Sequence, residues 1–182
     1  MEDNPGASES EKDVRTRKAI EVELQRIEES AKYSAQIQFE QTKQWRRINL
    51  VLGLPASVLA AVAGATALAT TAGRVVAGLM ALAAAAFGAI LTTLNASPRM
   101  NQASAAANAY LEIQTAARQA REIDLENWSV DEARAELAEL TSRRDEQNKT
   151  AEVPNRRSYR KAKKNLAAGG QDYAVDAEAT NT

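Results

Sequence analysis

The chain has 182 residues, near-zero net charge (−1), and neither cysteine nor histidine. That excludes disulfide frameworks, Cys/His zinc sites, thiol nucleophiles and histidine acid–base catalysis. Near-neutral charge also argues against a protein that coats nucleic acid along its length.

Residues 1–11 are polar and acidic. They lack a basic stretch leading into an apolar core, so they are expected to be disordered and not a signal peptide. Residues 12–47 read as an amphipathic helix. Ile20, Leu24, Ile27, Ala31 and Ser34 recur at spacings of four and three with charges between them, which suits a docking face or a short coiled-coil seam. No proline or glycine separates this helix from the apolar segment that begins at Ile48.

From Ile48 to Pro98 the chain carries one charge, Arg74, in 51 residues. Residues 48–71 and 75–94 are each charge-free and long enough, as helices, to cross about 30 Å of hydrocarbon. One helix through the whole run would be about 75 Å long, so two crossings are expected, with a turn near 72–74. The first segment has nine Leu, Ile or Val residues and the second has eight Leu, Ile, Val or Phe residues. They favour insertion by roughly 3 to 5 kcal/mol per span. A soluble alanine-rich bundle is the alternative, but its helices would need a charged face, and these segments have none.

Lys43, Arg46 and Arg47 precede the first span, and Arg99 follows the second, whereas the turn carries only Arg74. The positive-inside rule then puts both termini in the cytoplasm, with Trp45 at the interface. Small residues recur every four positions, as Gly53, Ser57, Ala61, Ala65 and Ala69 and then Gly73, Ala77, Ala81, Ala85 and Ala89. Such ridges would let helices pack closely in lipid, within the hairpin or between copies. Pro55 is placed to kink or to start the first span.

Residues 97–148 read as two further cytoplasmic helices. Ser97 and Pro98 suit a helix start, and Ala106, Tyr110, Ile113, Ala117 and Ala120 form one stripe. Ser129 and Glu132 have capping-box spacing ahead of a sparsely apolar helix carrying Ala133, Leu137 and Leu140. Residues 149–182 form a charged tail, expected to be disordered. Within it, Arg156, Arg157, Arg160, Lys161, Lys163 and Lys164 place six positive charges in nine residues. They suit anionic lipid, or nucleic acid or a nucleotide with Tyr159 stacking, but nothing there reads a base sequence. No motif for an enzyme or a cofactor is recognisable, so a non-enzymatic protein without cofactors is expected.

Across residues 20–145, the helix entering a short hairpin and the helix "LNASPRMNQASAAANAYLEIQTAARQA" after it resemble the SLATT family. These are SMODS- and SLOG-associating two-transmembrane effector proteins of bacterial conflict systems. Tyr33 ahead of the first span, Trp45, Asn49, Leu52 and Gly53 on its approach, and Tyr110 and Leu111 in "AANAYLEI" carry the likeness. The alanine-rich spans depart from the family's leucine- and isoleucine-rich pattern. The resemblance implies an oligomeric inner-membrane effector that forms a pore or disrupts the membrane. Its trigger would be a partner that makes or senses a nucleotide messenger. A non-conducting membrane scaffold that recruits a partner is the other reading. The family supplies no catalytic residues.

Overall fold

A computed structural model of the chain describes residues 5–69 and 73–171. It is all-α, with no strand among the described residues. In chain order come α1 (Pro5–Ala69), α2 (Gly73–Leu94), α3 (Ala96–Gln119), a π-helical turn (Ala120–Asp124), α4 (Val130–Thr150) and α5 (Arg156–Ala167). The chain divides into two units. One holds residues 1–39 and 105–182, and the other residues 40–104.

The amphipathic helix and the first apolar segment are one helix, α1, of 65 residues. It starts at Pro5, so residues 5–11 are helical where disorder was expected. Proline is preorganised for the first helical position. Glu11 then pairs with Arg15 one turn on, at 2.5 Å. The helix also continues through Pro55, which neither starts nor ends it.

The unit of residues 1–39 and 105–182 is built on a single apolar core. Ile20, Leu24, Ile27, Ala31 and Ala35 of α1 meet Ala106, Tyr110, Ile113 and Ala117 of α3, with Ala133 and Leu140 of α4 completing it. Both expected stripes are therefore inward, except that Ser34 is only half-buried and Ala35 takes the place after Ala31. The stripe is a docking face within one chain.

At the end of α3 the helix widens. The Leu125 N–H donates to the Ala120 carbonyl at 2.8 Å, five residues back. That spacing keeps Ala120 and Leu125 both buried, where four-residue spacing would have turned Leu125 away. Arg17 clasps the following bend, donating to the Leu125 carbonyl at 2.8 Å and to the Trp128 carbonyl at 2.5 Å. Arg121 of the π-turn pairs with Glu28 of α1 at 3.0 Å.

α4 begins with the expected capping box. The Ser129 hydroxyl accepts from the Glu132 N–H at 3.2 Å, and the Glu132 carboxylate accepts from the Ser129 N–H at 2.7 Å. The Ser129 N–H, and then the Ser129 hydroxyl, which donates to the same carboxylate at 2.8 Å, hold the Glu132 carboxyl below its ordinary value. At the far end of α4 the Tyr110 hydroxyl donates to Asn148 Oδ1 at 2.8 Å. Burial pushes the Tyr110 phenol up.

The expected start of α3 moves. Asn95, not Ser97, is the joining residue, and with φ of 52° it is the one described non-glycine residue in the left-handed region. Its N–H donates to the Leu91 and Thr92 carbonyls, closing α2, while its carbonyl accepts from the Arg99 N–H, opening α3. Asparagine tolerates that conformation better than serine. Pro98 falls within the first turn of α3, where its missing N–H costs nothing.

The tail also departs from expectation. Residues 156–167 form α5, with the Asn155 side chain accepting from the Arg157 and Ser158 N–H groups at 3.0 and 2.8 Å. It closes on Gly169, whose φ of 77° suits glycine. Tertiary contact supplies what composition lacks: Ser158 and Ala162 are buried.

Candidate functional site

Residues 40–104 form the unit that carries the apolar segments. The end of α1 and α2 lie side by side as an antiparallel pair, so that a Cβ on Gly53 would meet Leu91 Cδ1 at 3.7 Å. The covered and half-covered positions include Leu52, Ala56, Leu59, Ala63 and Thr66 on α1, and Ala77, Met80, Ala84, Phe87 and Leu91 on α2, with Gly53, Ala83 and Gly88 half-covered beside them. The main row on each helix alternates steps of four and three. That is the narrow seam of two helices packed almost lengthwise.

The expected four-residue ridges fit this seam only in part. A step of four advances about 40° beyond a full turn, so five such positions sweep about 160° around the helix. Gly53 and Ala77 fall on the contact, whereas Ser57, Ala61, Ala65, Ala81, Ala85 and Ala89 are exposed. Ala69 ends α1 and Gly73 begins α2, and the turn between them lies outside the described residues. Ser57, Ala81 and Ala85 instead border an open alanine-lined groove of about 830 Å³ between the helices, with Arg74 at one end of it.

What the pair does not cover is the more telling feature. Leu54 and Val58 on α1, and Val75, Leu79 and Leu82 on α2, are 59–70% exposed. Only 6% and 11% of the most apolar 18-residue windows of the two segments are buried. A core helix of a soluble bundle would be mostly covered by its own chain. Both helices are long and apolar enough to cross a membrane.

The polar groups collect at the ends of this unit. Arg99 stacks on the Trp45 ring, 5.1 Å from its centroid, and Arg46 and Arg47 are exposed nearby in sequence. Arg74 stands exposed at the start of α2. Between these ends the threonine hydroxyls turn inward on their own helices. Thr66 donates to the Val62 carbonyl at 2.6 Å, Thr92 to Gly88 at 2.9 Å and Thr93 to Ala89 at 2.8 Å. These residues satisfy their polarity without water or a neighbour.

In the other unit, the six basic residues of α5 are all exposed. At 100° per residue they occupy an arc of about 160°, opposite the buried Ser158 and Ala162. α5 and its flanks are tied to α1 at two points. The Gln38 side chain donates to the Glu152 carbonyl at 3.2 Å, and the Gln171 side chain donates to Gln36 Oε1 at 3.1 Å.

The residues that carry the family likeness play unequal parts. Tyr110 is buried and hydrogen-bonded, Leu111 packs on the core edge, Asn49 is half-buried and Tyr33 is 45% exposed. Sequence reading missed the Arg17 clasp and α5 as a helix. The Asn155 cap and the four-residue recurrence of Ser158, Ala162 and Leu166 were the available signals for α5.

Comparison of the chain with protein-family models, curated proteins and solved structures finds no match.

Proposed function

We propose that the protein is a two-span membrane effector. Its hairpin sits in the bacterial inner membrane, both termini are cytoplasmic, and copies associate to open a pore or disrupt the bilayer. The observation that carries the reading is the uncovered apolar surface of residues 50–94, on a chain whose other unit buries its apolar stripes well. Lipid is the solvent that suits such a surface. Each charge-free segment rises about 30 Å or more as a helix, matching the hydrocarbon thickness. Trp45 stacked with Arg99, beside Arg46 and Arg47, favours that end as the cytoplasmic one, with Arg74 alone opposite.

The effector role itself rests on the SLATT resemblance. The triggering partner would be an enzyme that makes a nucleotide messenger or a protein that senses one. It would act on the helical unit around α3 and α4, and the groove of small residues would let hairpins of neighbouring copies approach. Expression in bacteria with a membrane-potential dye tests this. Depolarisation when the triggering partner is co-expressed is expected, and an unchanged potential with membrane-integrated protein present would refute the pore.

One observation favours the non-conducting scaffold as a second reading. Thr66, Thr92 and Thr93 each spend their hydroxyl proton on their own helix and so offer no free donor to line water. In that case the hairpin anchors the helical unit, and partner recruitment persists without depolarisation.

A further inference from the structure

We infer that α5 is an electrostatic latch, a basic face that docks on the anionic lipid headgroups of the membrane that the hairpin enters. The inference rests on the membrane reading above and assigns the surface which that reading leaves without a role.

Three observations carry it. First, charge is segregated on α5. All six basic side chains share one arc, and the opposite side is occupied by buried Ser158 and Ala162. Burial of Ser158 and Ala162 accounts for the sorting, and what it leaves outward is a continuous basic face of the kind that docks on an anionic surface. Secondly, these charges have no carboxylate partner among the described residues, and α5 itself contains no acidic residue. Elsewhere the cations Arg15, Lys43, Arg121 and Arg144 all have carboxylate partners.

Thirdly, the helix is tied to a stretch of α1 that lies close in sequence to the first span. Its two ties are to Gln36 and Gln38 of α1, twelve and ten residues before Ile48 in sequence. Ten residues of helix rise only about 15 Å. An anionic leaflet attracts basic residues within about 8 to 10 Å, so docking requires the long basic side chains of α5 to reach from that tether toward the headgroups. The intervening Arg46 and Arg47 extend the same sign of charge toward the first span.

Nucleic acid is the less favoured partner. Tyr159 is a single stacking surface at the edge of the arc, and an aromatic platform for successive bases is missing from α5.

The chain has no cysteine, so single labels are clean reporters. Full-length protein carrying Tyr159→Cys or Leu82→Cys, labelled with an environment-sensitive fluorophore, is reconstituted in vesicles of phosphatidylcholine with or without 30% phosphatidylglycerol. Leu82 reports the hairpin and position 159 reports α5. The expectation is shielding of both labels from an aqueous quencher in anionic vesicles. In neutral vesicles, or at 0.5 M salt, position 159 is released while position 82 stays shielded. Combining Arg156→Gln, Arg160→Gln and Lys163→Gln should lower the docked-to-undocked ratio on the order of a hundredfold. Position 159 equally exposed in both vesicles, with position 82 shielded, overturns the latch and leaves the hairpin standing. Position 82 exposed in every vesicle instead refutes the membrane reading. Shielding of position 159 by an oligonucleotide but not by anionic vesicles overturns the lipid assignment in favour of nucleic acid.

Discussion

Leu140 is the only large side chain that α4 buries completely. Its neighbours on the inward face are Ala133, which has little area to offer, and Leu137, which is half-buried. Leu140→Ala removes three carbons, worth roughly 2.4 kcal/mol in transfer free energy. The cavity left behind raises the loss to about 3 to 4 kcal/mol. Because α1 and α3 keep their own contacts through Leu24, Ile27 and Ile113, the loss should fall on the docking of α4 alone. Amide hydrogen exchange on the full chain in nanodiscs reads this directly. Amides of residues 134–150 should exchange on the order of a hundredfold faster, and those of residues 106–119 no more than a few-fold faster. Equal acceleration in both stretches would refute the reasoning, because the unit would then open as one body. Unchanged exchange in α4 would refute it differently, by showing that Leu140 does not hold the helix down.

In the hairpin, Ala77→Leu should overpack the seam by about 1 to 3 kcal/mol, whereas Ala61→Leu on the outer face should be tolerated. The rate of disulfide formation between Gly53→Cys and Leu91→Cys reports the difference, and equal rates would contradict the seam assignment. Arg17→Ala strips the donors from the Leu125 and Trp128 carbonyls and should cost roughly 2 kcal/mol of denaturant stability. Arg17→Lys should recover only part of it, since an ammonium cannot reproduce the fork. Glu132 has a depressed carboxyl in the folded chain, so its cap stabilises α4 above the unfolded-state value and is lost as pH falls through the folded one. In an NMR titration Ser129→Ala should move the Glu132 midpoint back up toward an ordinary carboxylate.

Elements with a strong period were legible in the sequence. The stripes of α1 and α3 and the Ser129–Glu132 cap are local patterns, and tertiary packing agreed with them. The ridges from Gly53 to Ala89 misled because alanine is so abundant that a four-residue comb finds teeth wherever it is laid. The true seam, through Ala56, Leu59 and Ala63, mixes sizes and follows the average of three and four. α5 left only a faint trace in the sequence, for another reason. Its inward face is made of serine and alanine, which carry almost no hydropathy signal, and it is held by contacts with α1 more than a hundred residues away in sequence. The π-turn at Ala120–Asp124 has no sequence signature of its own, and only the need to bury both Ala120 and Leu125 explains it.

The continuity of α1 and α3 has a consequence for how this chain can change over evolutionary time. Each helix passes without a break through the boundary between the two units, at 39/40 and 104/105. A loop at such a boundary absorbs insertions, but a helix converts each one into rotation. One residue added to a helix turns the positions after it by about 100°, which carries an apolar stripe off its face. An insertion within α1 or α3 would therefore take residues such as Ala31 or Ile113 out of the core, and length variation belongs in the bends.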